Sequence, residues 1–285
     1  MKQKLFLRLL LTLLALCLAL PNSTWVMALE TERHSVEQIQ ERGSSAVTTA
    51  SANGAIGNLI GTYTKSGSKI TLQAQNGVMT LNFCKNNMVR VRIAPTEADF
   101  LADNPNLQAV KKFDNDYTEV PLTLNETATA LEISTETLTV SVNKSTLALT
   151  YKEKSGAVIA KNTATNPTGF EGESKWVNFQ RDANGTEEHF YGLGAAPTNG
   201  FNTVDWRNRT YDLWMLDTGV HAITPLYYST AGYGIYLNNS NKGSISFRST
   251  CSIEVEGGEL DYYFIYGPSF QNIQSDFGEL CGTIA

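Results

Sequence analysis

Between Glu187 and His221 the chain gathers most of the side chains that could do chemistry. They are the carboxylates Glu187, Glu188, Asp205, Asp212 and Asp217 and two of the three histidines, His189 and His221. Hydrolysis by paired carboxyl groups needs an acid and a base or nucleophile on either side of one bond. Neighbouring residues of a strand point to opposite faces, so Glu187 and Glu188 cannot meet one substrate if their segment is extended. The step from Asp212 to Asp217 meets the same obstacle. By residue type alone these carboxylates read as solvated or turn groups. The histidines have no partner set for a triad, and no Gly-x-Ser-x-Gly elbow is present. Tyr191-Gly192-Leu193-Gly194 is not followed by a helix pattern and is no phosphate cradle.

The densest feature is Trp206-Arg207-Asn208-Arg209-Thr210-Tyr211-Asp212-Leu213-Trp214-Met215-Leu216-Asp217-Thr218. Two tryptophans and a tyrosine interleaved with arginine and aspartate suit a sugar, which takes flat apolar faces for stacking and charged groups for its hydroxyls. Aromatic strands of a core would carry the same composition.

The elements that must position these residues are short strands. Lys69 to Ala74 and Gly77 to Phe83 alternate on either side of Gln75-Asn76-Gly77, a hairpin pattern. Met88 to Ile93 sets Val89, Val91 and Ile93 on one face and Arg90 and Arg92 on the other, which predicts a half-buried strand. Thr129 to Ser134, Thr137 to Val142 and Thr146 to Tyr151 continue the alternation. Further strands are expected at Trp176 to Gln180, Gly232 to Leu237, Ser244 to Phe247, Ser252 to Glu256 and Tyr262 to Ile265. One helix is expected over Ser269 to Leu280, where Phe270, Ile273, Phe277 and Leu280 form a stripe after Gly267-Pro268. This is an all-β pattern, a large antiparallel β-sandwich with a short C-terminal helix.

The first residues carry Lys2, Lys4 and Arg8 and then an apolar run from Leu9 to Leu20, with Val26-Met27-Ala28 as a cleavage site. That is a secretory signal, read as residues 1–28. Residues 29–58 are polar and small and read as a leader or linker. Residues 59–285 read as one sandwich domain. The whole sequence carries net charge −6, and loss of the signal removes only positive charge, which argues against nucleic acid as a partner. Cys84, Cys251 and Cys281 would remain after cleavage, with no metal-like spacing, so they allow at most one internal disulfide. No cofactor or metal is implied.

The order of motifs resembles the N-terminal domain of glycoside hydrolase family 31, the α-glucosidases and α-xylosidases. Phe190-Tyr191-Gly192-Leu193-Gly194 is similar to that family's Phe-Tyr-Gly-Leu-Gly-Glu, and Trp214 through Asp217 to its Trp-Asn-x-Asp loop. Leu226 to Leu237 resembles the strand pair that follows. Asp261 to Ser269 and Glu279-Leu280-Cys281-Gly282-Thr283 resemble the closing strand and the linker into a (β/α)₈ barrel. The resemblance implies a galactose-mutarotase-like super-sandwich that lends a loop to the barrel's pocket. Asp217 would contact the sugar, with Thr218 and Trp214 beside it. Ala195 stands where the family usually has Glu, and Met215 where it often has Asn.

The family's catalytic aspartates lie on the barrel in a Trp-x-Asp-Met-Asn-Glu type of run, which this sequence lacks. The expectation is therefore a substrate-shaping, carbohydrate-binding domain of a secreted α-glycosidase, split or cut before its barrel and inactive alone. Its partners would be an α-linked oligosaccharide or glycoside and a separately encoded barrel, with no membrane after signal cleavage. A stand-alone carbohydrate-binding module is the alternative. A mutarotase-type epimerase is a third reading and would need His189 or His221 beside a carboxylate.

Overall fold

The computed structural model describes residues 54–104, 108–195, 205–214 and 222–282. The predicted signal and nearly all of the leader lie outside them. Three antiparallel sheets make up the described part. The largest has eight strands. In spatial order they are β13 (Phe190–Ala195), β15 (Ala222–Ser229), β16 (Tyr233–Leu237), β19 (Leu260–Tyr266), β5 (Met88–Ala94), β4 (Gly77–Lys85), β3 (Lys69–Ala74) and β2 (Thr64–Ser66). A six-stranded sheet runs β1 (Gly54–Ala55), β11 (Thr168–Glu171), β12 (Ser174–Gln180), β18 (Thr250–Val255), β17 (Gly243–Phe247) and β14 (Thr210–Asp212). The third sheet is β10 (Val158–Lys161), β9 (Leu149–Glu153), β8 (Leu138–Asn143), β7 (Ala130–Ser134) and β6 (Thr123–Glu126).

The expected hairpin forms with Leu72 opposite Met79 and Ala74 opposite Gly77. The alternating segments from Thr129 to Tyr151 become β7, β8 and β9, but β9 starts late. Leu147 takes a positive φ of 54° while its side chain stays fully buried, so the chain turns there before the strand begins. Pairing also reaches upstream of residue 59, because Gly54 and Ala55 pair with Phe170 and Gly169, and Ile56 is fully buried.

One apolar core joins all three sheets. Val89, Val91, Ile93, Ile235 and Phe264 of the eight-stranded sheet meet Val140 and Tyr151 of the five-stranded sheet, and Val177, Phe247 and Ile253 of the six-stranded one. Phe264 and Tyr151 stack with centroids 3.8 Å apart, which fixes the register of two sheets through one ring pair. This is the sandwich that the alternation predicts: one face of each strand supplies apolar side chains to a shared interior.

The prediction of a half-buried β5 is corrected. Every residue of β5 is buried, on both faces. The face bearing Arg90 and Arg92 is roofed by the segment between β5 and β6. The guanidinium of Arg90 makes a two-point contact with Asp261 (3.0 and 2.7 Å) and reaches Asp103 (2.9 Å) and Asp114 (3.1 Å) of that roof. Arg92 pairs with Glu259 (2.8 and 2.5 Å) and donates to the Leu101 carbonyl at 2.6 Å.

Helix α1 (Phe270–Cys281) closes the same side of the sheet. Ser269 caps it by accepting from the Asn272 amide. Ile273 and Leu280 are fully buried against Met88, Leu226 and Ile265. The close approach depends on Gly234, because a Cβ there would lie 2.6 Å from Ile273 Cγ2. Phe270, placed on the buried stripe by its spacing, is 40% exposed and lies beside Tyr228, with ring centroids 5.3 Å apart. The roof and the helix are tied together, since the amide of Lys111 donates to the Leu280 carbonyl at 2.8 Å.

Candidate functional site

The structure divides the aromatic run from Trp206 to Trp214 into core and surface. Strand β14 hangs on the edge of its sheet, with Tyr211 opposite Ile245 and Asp212 opposite Ser244. Alternation turns Tyr211 inward, where it is buried edge-on against Trp206 at 4.9 Å. Trp206 Nε1 donates to the Gly192 carbonyl at 3.2 Å. These two aromatics are therefore packing residues. Trp214, just beyond the strand, is 49% exposed, and the ammonium of Lys242 lies 5.2 Å from its ring centroid. The site predicted from sequence keeps Trp214 as an accessible flat face. Asp217, Thr218 and His221 lie outside the described residues, as does Met215.

The expected divergence of Glu187 and Glu188 is observed. Glu187 is exposed and reaches Arg207 at 3.2 Å, while Glu188 is only 2% exposed. Glu188 is thus corrected from a solvated group to a buried one. Its oxygens accept from the Ser229 hydroxyl and from the Asp182 amide (3.1 Å), and burial holds its carboxyl above the ordinary value. Parity with Phe190 was the available signal: residues two apart on a strand share a face, and Phe190 is a core residue.

Beside it, His189 Nδ1 lies 2.5 Å from Asp205 Oδ2. Asp205 Oδ1 accepts from the amides of Phe190 (3.2 Å) and Arg207 (2.9 Å). Burial alone would raise the Asp205 carboxyl. The Arg207 amide and the His189 ring outweigh it and hold the carboxyl below its ordinary value. Arg207 in turn grips both oxygens of Asp182 (2.9 and 3.0 Å). Asp182, Glu188 and Asp205 each have both oxygens engaged within the protein. The cluster fastens residues 205–207 to the start of β13, with His189 held through Nδ1 on Asp205.

The three thiols of Cys84, Cys251 and Cys281 are unpaired. Burial raises all of them, Cys281 to about 11, which keeps them protonated and poorly nucleophilic. Among the described residues, no helix is long and apolar enough to cross a membrane.

A cavity of about 630 Å³ opens between the roof, at Leu101 to Ala109, and the segment from Tyr236 to Asn241, with Leu213 and Ile223 on a third side. Leu213, just before Trp214, and Ile223 both belong to the lining of this cavity.

The family model described as the glycosyl hydrolase 31 N-terminal galactose mutarotase-like domain matches residues 78–245. The chain belongs to that family. Among curated glycosyl hydrolase 31 relatives, it is 29% identical over 161 residues to an α-xylosidase of Saccharolobus solfataricus, covering 53% of this chain and 22% of that enzyme. To α-glucosidase 2 of Bacillus thermoamyloliquefaciens it is 23% identical over 247 residues, 80% of this chain and 29% of the enzyme. The fold is that of the glycosyl hydrolase 31 dextranase of Flavobacterium johnsoniae complexed with glucose. The TM-score is 0.71 at 23% identity, over 82% of this chain and 29% of the dextranase. The chain thus spans under a third of the length of each of these relatives.

Proposed function

We propose that this domain shapes and binds substrate for a secreted family 31 α-glycosidase, presenting the loop that begins at Trp214 to an α-linked oligosaccharide. The observation that carries the reading is the contrast within one segment: Trp206 and Tyr211 serve the core, whereas Trp214 is left accessible at the end of an edge strand. Family membership supports it, as do solved dextranase complexes with glucose and with isomaltotriose. In this reading Asp217 accepts hydrogen bonds from sugar hydroxyls, with Thr218 beside it and Trp214 supplying an apolar face. Chemistry falls to a barrel, because retaining hydrolysis needs two carboxyl groups about 5–5.5 Å apart, one as nucleophile and one as acid/base. Asp182, Glu188 and Asp205 are engaged as fasteners, and Asp212, two residues before Trp214, is an exposed carboxylate on an edge strand with no second carboxyl group placed against it among the described residues.

The test is turnover of aryl α-glucosides and α-xylosides by the purified chain, alone and with a family 31 barrel added, together with binding of isomaltotriose. No turnover is expected from the chain alone. Asp217→Ala should weaken sugar binding about ten- to a hundredfold, the effect of losing one charged hydrogen bond worth about 1.5–3 kcal/mol. Turnover by the chain alone, or an unchanged affinity in Asp217→Ala, overturns the assignment. Export predicts that mass spectrometry of the secreted protein finds Leu29 at the N-terminus; retention of Met1 contradicts it.

A further inference from the structure

We propose that the cavity between the roof and the Tyr236 to Asn241 segment is a binding site for a neutral oligosaccharide, separate from the contacts assigned to Asp217 and Thr218. Its volume, about 630 Å³, falls in the range of roughly 300–1,000 Å³ typical of small-molecule sites. Five side-chain amides line it: Asn104, Gln108, Asn238, Asn239 and Asn241. An amide offers a carbonyl acceptor and an NH₂ donor with no charge, which matches a hydroxyl that both gives and takes a hydrogen bond.

Asn238, Asn239 and Asn241 are held in place. Asn239 Nδ2 donates to the carbonyls of Gly257 (3.0 Å) and Glu259 (2.7 Å), and its Oδ1 accepts from the Asn241 amide (2.7 Å) and side chain (3.1 Å). Asn238 Nδ2 is fixed on Asp261 Oδ2 at 2.7 Å, and in this proposal its carbonyl oxygen accepts from the ligand. Gln108 Oε1 is buried with no hydrogen-bond partner, a deficit that rotation of the terminal amide toward a bound hydroxyl would relieve. Side chains ordered before binding cost less to immobilise on binding.

Charge narrows the ligand class. Two carboxylates line the cavity, and each is already neutralised from behind: Asp103 by Arg90 at 2.9 Å and Glu259 by Arg92. No lysine, arginine or histidine is among the described lining residues, so a phosphorylated sugar would find no counter-charge. Ile223, Pro225 and Tyr236 of the lining supply the apolar surface that the C–H face of a sugar ring takes. Leu213 and Asn241 of the lining are followed in the chain by Trp214 and Lys242, whose ammonium is already held over the Trp214 ring.

The proposal rests on the carbohydrate-binding reading for its choice of probe, and the experiment separates the two. Side-chain amide resonances of the ¹⁵N-labelled full chain are followed while isomaltotriose is added, with glucose 6-phosphate as the charged control. The Asn238, Asn241 and Gln108 amides are expected to shift saturably with isomaltotriose and not with the phosphate. Asn241→Leu, at an exposed turn, should weaken that response at least about tenfold. Ser240→Trp, on the exposed rim, should abolish it by filling the cavity. Asp217→Ala should leave it unchanged. Amide signals that stay fixed, or that saturate equally in Ser240→Trp, overturn the cavity site and leave the role of Asp217 standing. Loss of the response in Asp217→Ala overturns the separation of the two sites.

Discussion

At its central strands β16, β19, β5 and β4 the eight-stranded sheet is dry on both faces, and the two faces are held by different forces. Toward the sandwich interior, Val89, Val91, Ile93 and Ile235 pack against the other two sheets, and stability there follows the apolar area removed from water. Toward the roof, Arg90 is fully buried among Asp261, Asp103 and Asp114, and Arg92 sits on Glu259. Buried ion pairs of this kind repay their desolvation only with good geometry and complete hydrogen bonding, and they fail sharply when one partner is lost. An apolar face tolerates the loss of one methyl group, whereas the charged face depends on completeness. The roof therefore has a single geometry in which it closes, and that geometry also shapes the wall of the cavity at Leu101 to Ala109.

The largest expected effect is on the charged face. Arg90→Met leaves Asp261 and two roof aspartates without their cation and should cost about 3–5 kcal/mol in denaturant unfolding. Ile235→Val on the opposite face of the same sheet should cost only about 0.5–1.5 kcal/mol. Equal costs would erase the distinction between the faces.

A smaller effect comes from the latch between roof and helix α1. Glu279 is bound by Lys112 and by Lys85 at 2.8 Å, and these hydrogen bonds hold its carboxyl below the ordinary value of 4.5. Because the folded value is depressed, the contribution is complete above about pH 4.5 and is lost as the pH falls through the folded value. Both lysines and the glutamate are partly exposed, so Glu279→Gln should cost about 0.2–1 kcal/mol at neutral pH and low salt. The cost should vanish in acid and shrink in high salt, while the Arg90→Met cost persists in salt. A salt-insensitive Glu279→Gln effect would show that the latch belongs with the buried network.

Much of this architecture was legible because a sandwich writes itself into sequence as alternation. The hairpin at Gln75 to Gly77, strands β7 and β8 and helix α1 all follow from spacing. What alternation could not show was the roof. A strand with arginines on one face reads as half-exposed, and it takes Asp103, Asp114 and the Leu101 carbonyl, from the segment between β5 and β6, to help convert that face into an interior. Strands of two or three residues, such as β1, β2 and β14, are too short to carry a period. Leu147 carried the right residue type in the wrong backbone conformation.

The site was legible in part. Composition marked the segment from Trp206 to Thr218 but could not separate Trp206, which donates a hydrogen bond into the core, from Trp214, which is left accessible. Glu188 was passed over because acidic residues are usually wet, although its parity with Phe190 pointed inward. The amide-lined cavity has no linear signature, since its walls come from segments more than a hundred residues apart.

The run Phe190-Tyr191-Gly192-Leu193-Gly194, which first suggested the family, contributes no reactive group. Gly192, Leu193 and Gly194 have φ of 101°, 69° and 83° in succession, and the pairing of β13 with β15 slips between Gly192 and Gly194. A Cβ at Gly192 would lie 2.6 Å from the Leu226 carbonyl oxygen, while the Leu193 side chain is fully buried. What this motif supplies to the chain is a bend in the main chain. It belongs to the scaffold's drafting rather than to its chemistry.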